Sequence, residues 1–209
     1  MSAPSMTLFQ HPASPFVRKV LVLLHETGQQ DRVALETVLV TPVNPVPTLN
    51  EGNPVGKIPA LRLADGNVLH DSRVILDYFD HQHVGNPLIP RDGSARWRRL
   101  TLASIADAVM DAAVLIRYET ALRPAQKQWE SWLQEQRNKI RRALAELERD
   151  AIAELACHFD IASISVACAL GYVDFRHPGL QWRSSNPKLA AWYAEVSQRP
   201  SMLATQPAA

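Results

Sequence analysis

Apolar positions in the first part of the chain alternate between the period of a strand and that of a helix. Residues 6–10 form a short, mostly apolar run. After His11-Pro12-Ala13, the residues Phe16, Val17, Val20, Leu21 and Leu24 recur at the three- and four-residue spacing of a helix face. Ser14-Pro15 ahead of them is an N-cap with proline at the first helical position, and Gly28 supplies the stop. Residues 33–40 hold a second strand-like run, so this segment predicts a βαβ unit with parallel strands and a right-handed crossover. Pro42, Pro45, Pro47 and Pro54 argue against a regular helix across 41–54. Ala60-Leu61-Arg62-Leu63 begins directly after Pro59, where a strand tolerates a proline, and Asp65-Gly66 separates it from Asn67-Val68-Leu69-His70. An Asp-Gly pair between two apolar runs signals a hairpin. Asp71 and Ser72 can each cap the helix marked by Ile75, Leu76 and Phe79. The order is βαβ followed by ββα, a compact four-stranded α/β unit.

The pattern breaks at Gly85-Asn86-Pro87-Leu88-Ile89-Pro90, which predicts a linker over 85–93 between domains at 1–84 and 94–209. Nothing beyond it reads as sheet. Helical periods cover 95 to about 122, about 125 to 156, 161–175 and 186–198, the last opened by Asn186-Pro187. Short connections between such helices favour an antiparallel bundle.

Composition narrows the partners. The chain has 209 residues and a formal charge of +1 with both signs interleaved, so no basic field suited to nucleic acid is visible. No stretch approaches the roughly 18 apolar residues of a membrane span, and MSAPSMTLFQ lacks the basic and apolar regions of a signal peptide. A soluble cytoplasmic protein is the expectation, with no membrane or nucleic-acid partner. Cys157 and Cys168, without CxxC spacing, are expected to be buried structural thiols.

Residues 53–72 concentrate the candidate chemistry. Free N–H groups at a helix start attract a carboxylate, and an unpaired backbone at Ile58 suits an extended peptide, which together suggest a pocket for a small peptide-like anion. Elsewhere, Asp107 and Asp111 share a helix face and repel each other by a few tenths of a kcal/mol, so they are either functional or fully hydrated. His81 and His83, two apart, do not face the same way and make poor joint metal ligands; no metal site is predicted. Trp129 and Trp132, three apart, are expected to pack.

Five collinear motifs, SPFVRKV at 14–20, NPVGKIPAL at 53–61, LHDS at 69–72, ACALGYVDFR at 167–176 and RPSMLATQP at 199–207, resemble the cytosolic glutathione transferases, and small bacterial members most of all. The resemblance spans essentially the whole chain. It implies a thioredoxin-like first domain, an all-helical second domain, a homodimer, and glutathione as co-substrate without a metal. Carried onto these motifs, Pro59 is a cis proline and Ile58 pairs with the cysteinyl backbone of glutathione. Asp71 receives the γ-glutamyl amino group, Ser72 and its N–H the α-carboxylate, and Lys57 the glycyl carboxylate. The alternatives are helix capping alone for Asp71 and Ser72, and a solvated surface role for Lys57. The family commonly has Glu or Gln where Asp71 stands, so the reach is one methylene shorter.

Ser14 occupies the position of the Ser or Cys that contacts the glutathione sulfur; capping alone is its alternative role. A hydroxyl donor at a helix start favours thiolate over thiol. Lowering a thiol pKa of ~8.5 by ~2 units is worth ~2.7 kcal/mol and makes it mostly ionised at neutral pH. Serine there argues against thiol–disulfide exchange, since the redox members carry Cys. The resemblance places an electrophile pocket between the domains, with Phe16, Asp107, Asp111, Arg117, Tyr118 and Glu119 as candidates. It also sets a capping box before ACALGY that Asp160 and Ser163 invert. The expected function is transfer of glutathione to a small hydrophobic electrophile. The alternatives are a non-catalytic glutathione-binding or protein-interaction module, and a glutathione-dependent isomerase or dehalogenase.

Overall fold

The computed structural model describes residues 6–208, which divide into two compact units. One runs to Pro87 and takes in the chain from Pro200 onward; the other is Leu88–Arg199.

In the first unit, β1 (Met6–Gln10), α1 (Pro15–Glu26), β2 (Val33–Thr37), α2 (Pro47–Asn50), β3 (Ala60–Arg62), β4 (Val68–Leu69) and α3 (Ser72–Asp80) follow in order. The sheet order is β2-β1-β3-β4, with β1 and β2 parallel and the other pairs antiparallel, the expected βαβ-ββα arrangement. Helices α1 and α3 pack together, burying Val17, Val20, Leu24, Ile75, Leu76 and Phe79. Burying Phe79 alone contributes about 1.5–3 kcal/mol. A second cluster joins Phe9, Val38, Leu49 and Ala60, with Ile58 and Val68 against it. Leu49 belongs to α2, a single helical turn within the proline-rich segment expected to be irregular. Pro47 stands at its first position, where a missing N–H costs nothing.

The second unit contains α4 (Gly93–Leu122), α5 (Glu130–Asp150), α6 (Ile152–Cys157), α7 (Ile161–Arg176), α8 (Trp182–Ser185) and α9 (Pro187–Val196). Helix α4 packs on both α5 and α7, and α7 is buried from Ile161 to Val173. The apolar period predicts one helix over about 125–156, but the chain breaks at Ala151 (φ −115°). The Asp150 carbonyl, whose helical partner would be a later N–H, instead accepts from Arg98 Nη2 at 3.1 Å, and Arg98 Nε also reaches Glu154 Oε1 at 2.9 Å. A side chain from α4 therefore supplies the stop.

Two side chains depart from expectation. Cys157 is exposed because it is the last residue of α6, whose buried position is Leu155; Cys168 is buried in α7. Trp129 is 66% exposed, since it caps α5 from outside the helix and donates its N–H to Glu119.

From Pro200 the chain joins the first unit. Helix α10 (Pro200–Ala204) packs on α1, Ser201 Oγ donates to Glu26 Oε1, and Arg18 Nη2 donates to the Met202 carbonyl at 3.0 Å. Thus the described residues from 200 on, expected within the helical domain, group with the sheet.

Candidate functional site

Sheet register gathers the motifs at Ser14, Ile58–Pro59 and Asp71-Ser72 at one end of the sheet. Phe9 pairs with Ala60, which sets Pro59 opposite Gln10 at the end of β1, and the Leu61–Leu69 pair brings residues 70–72 beside the start of β3. The β1–α1 turn, the Ile58–Pro59 bond and the start of α3 thus share one end of the sheet.

Ser14 caps α1: its Oγ accepts from Val17 N at 3.3 Å, and its own N–H donates to the His11 carbonyl at 2.8 Å. The 3.3 Å contact is long, so the hydroxyl is only loosely committed to the cap. Ile58–Pro59 is cis, as is His70–Asp71. Pro59 is buried and Ile58 half-buried; among the described residues no hydrogen bond engages the Ile58 backbone, which leaves it available to an extended ligand.

Asn53, which sequence reasoning passed over, shapes the approach to Ile58. It is 1% exposed; its Nδ2 donates to the Lys57 carbonyl at 2.8 Å and its Oδ1 accepts from Val55 N at 3.1 Å. Its own carbonyl takes the Gly56 N–H. Gly56 has φ +63°, and a Cβ there would stand 2.7 Å from Asn50 Oδ1. Asn-Pro-x-Gly is a readable turn signal; what hides in sequence is that the Asn side chain closes it from inside. The Lys57 side chain is exposed.

At the third motif Asp71 is the N-cap of α3, accepting from Arg73 N at 2.9 Å and from Arg73 Nη2 at 3.1 Å, while Ser72 is the first helical residue and 3% exposed. Burial pushes the Asp71 carboxyl upward, but hydrogen bonds from the Arg73 side chain and N–H, with the charges of Arg73 and Lys19, outweigh it and hold it below the usual range. Asp71 is therefore an anion at neutral pH, as binding an ammonium requires. Lys19 is buried (1% exposed) on α1, its ammonium 5.5 Å from the Phe16 ring centroid.

The other candidates lie on α4. Asp107, Asp111 and Tyr118 fall on one stripe of the helix and Arg117 about a quarter turn away. Asp107 is buried and Asp111 exposed, so full hydration does not account for the pair. Both aspartates have interaction partners. Tyr118 is half-buried, and burial raises its pKa. Tyr172 of α7 is pushed up to about 12 by burial, partly offset by Arg176, so both phenols stay protonated at physiological pH. Glu119 is committed to Arg123 at 2.8 Å and to Trp129 N at 3.1 Å. Among the described residues no group of three or more His, Cys, Asp or Glu could hold a metal ion, and no helix is long and apolar enough to cross a membrane.

The profile of the glutathione S-transferase N-terminal domain matches residues 8–87, and that of the glutathione S-transferase C-terminal domain matches 130–195. The uncharacterized GST-like protein YibF of Escherichia coli (strain K12) is 33% identical over 204 residues, covering 97% of this chain and 98% of that protein. A glutathione transferase family member from Pseudomonas fluorescens Pf-5, solved with bound glutathione, is 72% identical with a TM-score of 0.97, covering 98% of this chain and 100% of that one. A structure with bound S-(propanoic acid)-glutathione, also from Pseudomonas fluorescens Pf-5, is 70% identical with a TM-score of 0.92, covering 97% and 100%. With its thioredoxin-like sheet, its helical second unit and the three motifs at one sheet edge, the chain belongs to the glutathione S-transferase family.

Proposed function

We propose that this protein is a homodimeric glutathione transferase that binds glutathione at the sheet edge, stabilises its thiolate at Ser14 and transfers it to a small hydrophobic electrophile. The observation that carries the reading is the convergence of Ser14, the cis Ile58–Pro59 bond and Asp71-Ser72 at one end of a four-stranded sheet. Each position then has a task. Ile58 pairs its backbone with the cysteinyl residue, Asp71 takes the γ-glutamyl ammonium, and Ser72 with the N–H groups of the first turn of α3 takes the α-carboxylate. Lys57 meets the glycyl carboxylate. Phe16 in the first unit and Asp107, Asp111, Arg117 and Tyr118 in the second are the candidates for contact with the electrophile. Glutathione and its propanoic acid conjugate, bound in the relatives at 72% and 70% identity, support both the ligand and a site that tolerates a substituent on sulfur.

Calorimetry tests the binding half. The wild-type protein is expected to bind glutathione at or below millimolar concentration, and Asp71→Asn to bind it about tenfold more weakly, the usual worth of one charge-assisted hydrogen bond. Absence of binding by the wild-type protein at millimolar glutathione overturns the proposal. Light scattering is expected to give twice the chain mass; a monomer refutes the dimer while leaving the glutathione site standing.

A further inference from the structure

The helical unit carries a cleft of about 420 Å³ lined by Ile116 and Thr120 of α4, Arg137 and Arg141 of α5, and His177, Gly179 and Leu180 of the turn after α7. Its walls contain no carboxylate. We propose that this cleft is a binding site for a small oxyanion, a carboxylate or phosphate group gripped by Arg137 and Arg141.

Charge is the first argument. Arg137 and Arg141 stand on the wall, one helical turn apart on α5, and Arg117 and Arg176 lie close enough to act electrostatically on His177. Among the described residues the only acid paired with any of the four is Glu130, at 2.6 Å from Arg137, and its side chain is 74% exposed. Arg141 reaches, among the described residues, only the neutral Asn138, at 3.2 Å. Among the described residues Arg117 and Arg176 have no carboxylate within ion-pair distance, and the Arg176 Nε is buried with no hydrogen-bond partner. Elsewhere in the unit Arg183 is matched by Asp174 and Arg98 by Glu154. Clustered guanidiniums of one sign repel one another, and their planar forks suit carboxylate and phosphate oxygens.

The imidazole is the second argument. His177 Nε2 lies 2.8 Å from the Ala113 carbonyl, which fixes the hydrogen on that nitrogen. Burial holds its pKa below the ordinary value, and Arg117, Arg137 and Arg176 push the same way against the Ala113 hydrogen bond. The ring is neutral at pH 7, so the positive charge of the cleft rests on guanidinium, which keeps it across the physiological range. Thr120 Oγ1 donates to the Ile116 carbonyl at 2.9 Å, so its proton is already committed and the grip on the anion falls to the arginines.

His177 also serves as the reporter. Proton–carbon spectra of the histidine rings, with the His177 signal assigned by its loss in His177→Gln, are recorded while inorganic phosphate or citrate replaces chloride at constant ionic strength. A His177 shift that saturates at millimolar phosphate or citrate is expected, weakened about tenfold or more in Arg141→Gln and in Arg137→Gln, each of which removes one charge-assisted contact. Saturation by phosphate alone identifies a phosphoryl ligand, by citrate alone a polycarboxylate, and by both a site for oxyanions generally; each supports the proposal. No saturating shift with either anion, or shifts unchanged in both folded variants, overturns it. Calorimetric binding of glutathione is expected to be unchanged in both variants, so this site and the glutathione site stand or fall separately.

Discussion

Asp160→Ala is expected to lower the melting temperature by roughly 10 °C, following a loss of about 3–5 kcal/mol at a scale of about 2–4 °C per kcal/mol. Asp160 is the N-cap of the buried helix α7, its Oδ1 accepting from Ala162 N at 3.0 Å. It also receives the Arg99 guanidinium on both carboxylate oxygens. Arg99 is 7% exposed and its next acid, Glu154, is 3.9 Å away, so removing Asp160 strands a buried charge and uncaps the helix together. Asp160→Asn separates these effects, because asparagine caps as well as aspartate but carries no charge. It is expected to retain the roughly 1 kcal/mol of the cap and lose most of the remainder. Adding Arg99→Leu to Asp160→Asn is expected to recover part of the loss, as replacement of a whole buried pair is milder than breaking it. Calorimetric melting of the four proteins decides the matter: a single-variant change below about 2 °C means the pair contributes nothing net.

Ser14→Ala is expected to reduce the conjugation rate at fixed glutathione by about ten- to a hundredfold while altering glutathione affinity only a few-fold. Loss of one hydrogen bond to an anion is worth about 1.5–3 kcal/mol, and each 1.4 kcal/mol is about a factor of ten in rate. The split follows from the proposed site, in which the hydroxyl favours thiolate over thiol and the remainder of the tripeptide is assigned to Ile58, Asp71 and Ser72. Its loss as a cap is small, given the 3.3 Å contact to Val17 N. Two readouts apply: turnover of a generic aryl halide, and thiolate absorbance of bound glutathione as a function of pH. The absorbance midpoint is expected to rise in the variant, toward the ordinary value near ~8.5. An unmoved midpoint with unchanged turnover assigns Ser14 to the helix cap alone.

Most of the sheet-edge site is written in local sequence. Ser-Pro at a helix start, a proline before a short strand, Asp-Gly between apolar runs and Asp-Ser before an apolar period each specify local geometry, and register does the rest. What sequence concealed depends on residues far apart in the chain. The break at Ala151 is set by Arg98, 52 residues from the carbonyl that it takes, so an uninterrupted apolar period reads as one helix. Asp160 and Ser163 reverse the order expected of a capping box, yet Asp160 caps α7 while Ser163 Oγ donates to the His158 carbonyl at 2.7 Å. The arginine cleft draws on three elements, none basic enough to stand out in a chain of net charge +1. Trp129 and Cys157 misled because apolar character marks burial only where a helix face, not a helix end, presents the side chain.

The return of the chain from Pro200 to α1 bears on how the protein is made. Arg18, 5% exposed, finds its Met202 and Thr205 acceptors only in that last segment. On the ribosome the sheet unit is synthesised first, and domains made first ordinarily fold first. Until every helix of the second unit has emerged, α1 lacks the segment that covers Arg18, and its guanidinium is left to water. The sheet unit is therefore completed only after the helical unit has been made.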